Sequence, residues 1–289
     1  MAENLYGKPD NDWQKIMYRT ALMQNYKASI KGGGNTYTYY TGLGYMNQDG
    51  IIKGSNYERI NFQFKSNYKR GIFSAGNNVV VTRSTEDPLA SEIRGGFVGH
   101  ILQSAPTLEK YDDSNIGGYG GSYGDMVNLF NPLGIIDKNL AERNKEVIKA
   151  YINLYAQLEF LPGLKYKINL TPDFYFDRNV EYAVIYDWGL YSNDITSLSE
   201  ERNRKNNMLV ENLLSYDQTF GDHKVSALFG YSYQDNRYRY LVAKGKGMPE
   251  GLKEIDAATI ERTNGGYSTR SVLTSIIGRA FYSYKNRYL

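Results

Sequence analysis

The chain has no cysteine, which excludes disulfide scaffolds, thiolate zinc sites and cysteine nucleophiles. Histidine is nearly absent as well. His100 and His223 are the two present; they lie far apart with no thiol beside them, so neither a metal site nor a histidine-centred triad is expected. Neither sign of charge dominates, with 34 Lys and Arg against 31 Asp and Glu. That balance leaves no basic stripe for nucleic acid and no acidic tail. No stretch approaches the roughly 18 uncharged apolar residues of a transmembrane helix, and the mean hydropathy is −0.55. The opening residues, Met1 through Lys8, lack the basic and apolar regions of a secretory leader. On hydropathy alone these absences fit a soluble cytoplasmic protein. A β-barrel, however, crosses a membrane with an alternating pattern that hydropathy averages hide.

Tyrosine is what the chain has in quantity: 28 residues, beside 29 Gly and 7 Pro. Aromatics at 14% of the chain can bury too much surface for a disordered segment, and Tyr and Gly with short polar turns suit a β-protein. After a polar lead-in with one candidate helical turn around Asp12–Arg19, the period becomes two. Tyr37, Tyr39, Thr41, Leu43 and Tyr45 share a face, and Ile60, Phe62 and Phe64 alternate with Asn61, Gln63 and Lys65. Later, Ile148, Ala150, Ile152, Leu154, Ala156, Leu158 and Phe160 oppose Lys149, Tyr151, Asn153, Tyr155, Gln157 and Glu159. Seven consecutive matches to period two favour a strand over the helix that also fits part of this stretch. Leu161-Pro162-Gly163 reads as a tight turn. A return run follows at 164–170, then a pair at 207–219 and 224–235, and a last strand at about 273–284; the run at 71–83 has a weaker pattern.

The connections are short at 31–35, 69–71, 161–163 and 220–222, and long at 47–56, 84–145, 179–200 and 240–268. Strict alternation puts every tight turn at one end and every long loop at the other, the arrangement of outer-membrane barrels. Strands of roughly 11–17 residues also exceed the five or six usual in soluble sheets, and suffice to cross a bilayer at a tilt. The fold expected is all-β: about nine antiparallel transmembrane strands of a larger barrel, with short periplasmic turns and long extracellular loops. The alternative is a secreted or surface β-sandwich that binds carbohydrate, which would bury the faces of 60–64 and 148–160 against a second sheet.

Six stretches, in order, resemble a known family. They are Asp12-Trp13-Gln14 with Arg19-Thr20-Ala21 and Met23-Gln24-Asn25; the segment Gly42 through Ser55; Ala105-Pro106-Thr107 with Asn131-Pro132-Leu133; Phe160-Leu161-Pro162-Gly163-Leu164-Lys165; Tyr216 through His223 followed by Leu228 through Gln234; and Gly278-Arg279 with Tyr282 through Leu289. Together they cover nearly the whole chain and are similar to the SusC/RagA-type TonB-dependent transporters of Bacteroidetes-type outer membranes. The resemblance implies an outer-membrane importer of oligosaccharides or oligopeptides, energised by TonB through a plug and lidded by a SusD-like surface lipoprotein. It also implies a barrel of roughly 22 strands. The expected organisation is a lead-in at 1–22 and a partial barrel at 23–289 carrying a large extracellular loop at 84–145. No plug is recognised, and Lys285–Leu289 reads as a turn feeding a further strand.

Within that frame Ile60, Phe62, Phe64, Ile152, Leu154 and Leu158 are expected to face outer-membrane lipid. Tyr37, Tyr45, Tyr231 and Tyr233 suit an interfacial girdle, while Tyr151 and Tyr155 suit the lumen. Tyr111, Tyr119, Tyr123 and Tyr191, in the long loops, are candidates to stack on a glycan or peptide substrate or to meet the lipoprotein lid. Asp112 through Asp125 lacks the oxygen spacing of a calcium loop, and Gly118 through Tyr123 fails the dinucleotide fingerprint. Glu200-Glu201 reads as a solvated loop top. No acid–base or nucleophile constellation stands out, so the chain is expected to be no enzyme, with no cofactor, no metal and no nucleic-acid partner.

Overall fold

The computed structural model describes residues 9–89, 96–121, 130–189 and 191–285. Nine long strands form one antiparallel meander: β1 (Met23–Gly33), β2 (Tyr37–Asp49), β3 (Asn56–Arg70), β4 (Phe73–Asp87), β5 (Ala141–Leu161), β6 (Leu164–Ala183), β9 (Ser197–Phe220), β10 (His223–Lys246) and β11 (Ile260–Tyr284). They lie in the order β1-β2-β3-β4-β5-β6-β9-β10-β11, and the sheet is open. A two-residue pair, β7 (Tyr186–Asp187) and β8 (Ser192–Asn193), sits within the connection between β6 and β9.

The alternation of connections is as the sequence predicts. Tight turns at 34–36, 71–72, 162–163 and 221–222 occupy one end, and the connections at 50–55, 88–140, 184–196 and 247–259 occupy the other. Gly163 and Gly221 take φ of +83° and +57°, which a side chain with a Cβ resists.

The weak run at 71–83 is a strand as read, β4, paired along its length to β3 and β5. Two expectations on extent are corrected. The strands reach 25 residues in β11 rather than 17, and β9 and β10 have 24 each. The long connections shrink accordingly, and the largest runs over 88–140 rather than 84–145. The physical reason is that towards the long loops the apolar face turns to Arg, Glu and Asn. The period-two signal fades there, while backbone pairing, which is indifferent to side chains, continues. The largest connection also contains α2 (Gly96–Gln103) and α3 (Pro132–Ile136), where the sequence shows no clear element; α1 (Trp13–Met17) falls at the expected helical turn, with Asp12 accepting from the Lys15 N–H at 3.0 Å.

Residues directly opposite in an antiparallel ladder share a face, so the registers assign each side chain. Leu43, Phe62, Val81 and Ala150 form one such row, and Leu154, Leu170, Val210 and Tyr233 another. Ile60, Phe62, Phe64, Ile152, Leu154 and Leu158 all lie on this apolar face. Leu43, Ile60, Phe62, Leu154, Ile168, Leu170, Leu214 and Phe229 are exposed on it. Among the described residues no second sheet covers the face, which removes the β-sandwich. The buried apolar side chains collect instead at the long-loop end, in two clusters. One joins Trp13, Met17, Ile52, Phe97, Ile101 and Leu108; the other joins Leu140, Val180, Tyr182, Val184, Trp188, Leu198, Met248 and Ala258.

Candidate functional site

Two surfaces carry polar chemistry. The first is the face opposite the apolar one. Its side chains bond to each other along and across strands: Asn153 Nδ2 to Thr171 Oγ1 at 2.7 Å, Gln63 Nε2 to Asn78 Oδ1 at 3.2 Å, and the Tyr155 hydroxyl to Asn67 Oδ1 at 3.1 Å. Lys167 lies 4.7 Å from the centre of the Tyr155 ring, and Lys149 and Lys205 lie 5.4 and 5.2 Å from that of Tyr175. A face of amides, hydroxyls, lysines and aromatic rings is wet, and it hydrogen-bonds readily to peptide or sugar groups. Tyr151 and Tyr155 are on this face, as expected. Glu201 is as well, accepting from the Tyr240 hydroxyl at 3.1 Å. Glu200 is on the apolar side between Arg178 and Arg202. Both acids belong to β9, so the loop-top expectation for this pair is corrected.

The second surface is the folded cap formed by the long connections. Its hub is Trp188, 1% exposed. Tyr186 stacks on the indole with ring centres 4.4 Å apart, Tyr119 meets it edge-on at 5.6 Å, and Tyr111 lies 5.5 Å from Tyr119. The plate fits because three glycines surround it: a Cβ on Gly134 would sit 2.2 Å from the indole ring, and one on Gly121 would sit 2.1 Å from the Trp188 carbonyl oxygen. The third, Gly117, has its Cβ position 3.0 Å from the indole nitrogen. The Tyr119 hydroxyl donates to Asp137 at 2.8 Å. Burial, and then that carboxylate, push its ionisation far above the usual tyrosine range. Burial raises Tyr186 and Tyr191 too.

Asn131 fastens the cap. Fully buried, it donates Nδ2 to the carbonyls of Glu109, Lys110 and Gly120 at 3.0, 3.0 and 3.1 Å, and its Oδ1 accepts from the Leu133 N–H to cap α3. The buried His100 ring stacks on Phe130 with centres 3.5 Å apart, and the edge of Tyr191 meets Phe130 at 4.9 Å. His100 Nε2 lies 3.0 Å from the Phe130 N–H and 2.9 Å from its carbonyl oxygen. Burial lowers the His100 pKa, the Phe130 contact opposing it in part.

Of the four loop tyrosines expected to meet a ligand, the structure brings Tyr111 and Tyr119 together and puts Tyr191 against Phe130, beside a different ring. Tyr123 lies outside the described residues. Tyr111 is 62% exposed, whereas Tyr119 is engaged in packing. Sequence reading missed Trp188, Tyr186 and Asn131; Asn before Pro at the start of α3 is a helix-start signal, but nothing local marks Trp188. Among the described residues no group of three His, Asp or Glu is placed to hold a metal ion.

The stretches that carry the family resemblance meet at the base of the cap. Trp13 Nε1 donates to the Ala105 carbonyl at 2.8 Å. Arg19 donates to the Gly50 and Ser55 carbonyls at 3.0 and 3.2 Å and pairs with Asp49 at 3.4 Å.

No protein-family model matches the chain. It is 29% identical over 304 residues to TonB-dependent receptor P3 of Formosa agariphila, a match spanning 100% of this chain and 29% of that protein. It is 24% identical over 319 residues to TonB-dependent receptor SusC of Bacteroides thetaiotaomicron, spanning 98% of this chain and 30% of SusC. The fold matches the RagAB peptide importer in its open-open state with a TM-score of 0.80 at 17% identity, over 98% of this chain and 33% of the other. The chain thus spans about 30% of the length of the curated relatives it matches. In sequence from end to end, and in fold, it corresponds to a barrel segment of SusC/RagA-type TonB-dependent receptors.

Proposed function

We propose that this chain is part of the barrel wall of an outer-membrane nutrient importer. Residues 1–22 lead into the barrel, 23–289 build the wall, and the connection at 88–140 forms much of an extracellular cap. The observation that carries this reading is the inversion of burial. Along the body of the sheet the apolar residues are exposed on one uncovered face, and the buried clusters gather at its long-loop end, where strand ends meet the long connections. A contiguous apolar surface of this extent calls for lipid. The polar face then lines the lumen, against which a plug driven by TonB would move.

The substrate is an oligopeptide or oligosaccharide, admitted past the cap with a SusD-like surface lipoprotein as lid. The peptide importer among the structural relatives and SusC among the sequence relatives support this class. The protein acts as a transporter, not an enzyme. Sidedness tests the reading. In the complete receptor containing this chain, epitope tags at Gly118 or Gly247 are reached by antibody on intact cells, and tags at Gly163 or Gly221 are not. Surface labelling at Gly163 would overturn the topology.

A further inference from the structure

On β6, β9, β10 and β11 the apolar face turns, towards the long loops, to arginine, and on the neighbouring β5 to Glu146. The registers set Ile148, Phe176, Arg204 and Arg239 in one row, and Glu146, Arg178, Arg202 and Leu241 in the next row towards the loops. One row nearer the tight turns stand Asn206, Arg237 and Arg270. Rows on one face are two residues apart, about 7 Å, so six arginines gather in a band about 14 Å high. Its carboxylates are already engaged. Glu200 bridges Arg178 at 2.8 Å and Arg202 at 2.5 Å, Asp235 bridges Arg237 at 2.8 Å and Arg270 at 2.9 Å, and Glu146 pairs with Arg83 of β4 at 2.6 Å.

Arg204 and Arg239 have no carboxylate within ion-pair distance among the described residues. Arg204 donates Nε to Asn206 at 3.2 Å and lies 5.4 Å over the Phe176 ring. Both border a cleft of about 560 Å³ whose apolar side is Ile148, Phe176 and Leu241. The other end of the same face, on the same five strands, carries Leu158, Tyr166, Tyr216, Ala227 and Tyr282, with no lysine or arginine.

We propose that this cleft binds the phosphate headgroup of an anionic membrane lipid, its acyl chains lying over Ile148, Phe176 and the apolar rows below. The inference rests on the reading that this face meets the membrane. The chemistry is matched on both sides. Guanidinium forks fit phosphate oxygens with paired charge-assisted hydrogen bonds, and two arginines without a carboxylate supply the charge that an anionic headgroup neutralises. The apolar side of the cleft is continuous with the surface that receives hydrocarbon. A headgroup held here lies in the leaflet on the long-loop side, because the cleft is at that end of the face and the other end of the same face, on the same five strands, offers no lysine or arginine.

The test uses the complete receptor containing this chain, purified in detergent and titrated with dioleoyl phosphatidic acid or dioleoyl phosphatidylcholine, with retained lipid counted by native mass spectrometry. The wild-type protein retains phosphatidic acid in preference to phosphatidylcholine. The R204Q/R239Q variant weakens phosphatidic acid about tenfold, the loss of one charged hydrogen bond's worth of affinity. K149Q/K205Q, which removes the same charge from the polar face, leaves retention unchanged. R239Q alone gives a partial loss and keeps the test open should the double variant fold poorly. Equal retention of the two lipids, no change in the arginine variants, an equal loss in K149Q/K205Q, or equal competition by inorganic phosphate would each overturn the proposal. Absence of the receptor from the outer-membrane fraction would overturn the membrane reading and this proposal together; an embedded receptor indifferent to phosphate overturns this proposal alone.

Discussion

Asn153 of β5 and Thr171 of β6 face each other across the ladder, the Asn153 amide donating to the Thr171 hydroxyl at 2.7 Å. The next residue, Leu154, points the other way, 41% exposed and paired with Leu170. Adjacent residues of one strand therefore sample opposite solvents. Leu154→Arg is expected to cost about 2–4 kcal/mol in a membrane-embedded barrel, and Asn153→Arg, on the wet face, far less. Denaturant unfolding in lipid vesicles, comparing the two variants, measures the difference. Equal costs would refute the assignment of faces.

That assignment was legible in the sequence because Ile148 through Phe160 keep period two without a break, and because Leu161-Pro162-Gly163 announces its own turn. The ends of the long strands were not legible. On β9 the run from Ser197 to Asn206 places Arg and Glu on the face that carries leucine and valine lower down, so hydrophobic patterning is silent while hydrogen bonding persists. The cap was the least legible part. Trp188 is buried by glycines at positions 117, 121 and 134, contacts between segments distant in sequence, and no local pattern encodes them.

Asn131 offers the sharpest test of the cap. Replacing it with Ala removes a helix cap and the donor that the Glu109, Lys110 and Gly120 carbonyls share, a cost of about 3 kcal/mol. Asn131→Asp is expected to be worse, because a carboxylate oxygen would replace the donor amid three carbonyl oxygens. Hydrogen exchange over residues 109–121 should rise in both variants, with the strands unaffected. Unchanged protection in that segment would show that Asn131 does not hold it.

His100 makes the same cap sensitive to acid. Burial holds its pKa below the ordinary 6.5, so the folded cap resists the proton that the unfolded segment accepts. The sign follows: this contribution to stability is fully present above about pH 6.5 and is lost as the pH falls from there towards the depressed folded value. Exchange protection of α2 should drop between pH 7.5 and 5.5, and His100→Gln should flatten that dependence. A drop of the same size in the variant would assign the effect to another group.

Tyr111 and Tyr119 are neighbours with different duties, and uptake can separate them. Tyr119 spends its hydroxyl on Asp137 and its ring on Trp188. Tyr119→Phe therefore loses one buried hydrogen bond, about 1 kcal/mol of local stability, and loosens the cap. Tyr111 has its ring exposed beside Tyr119 at the cap surface, free to stack on a sugar ring or a peptide side chain. Tyr111→Ala is expected to lower uptake several-fold at normal surface abundance and unchanged cap protection, whereas Tyr119→Phe lowers protection first. The measurement is uptake of labelled maltoheptaose and of a mixed oligopeptide pool by cells carrying the complete receptor, alongside hydrogen exchange of the purified protein. If Tyr111→Ala leaves uptake of both at the wild-type level, the exposed ring is not a substrate platform, and the cap's part in transport must be sought elsewhere.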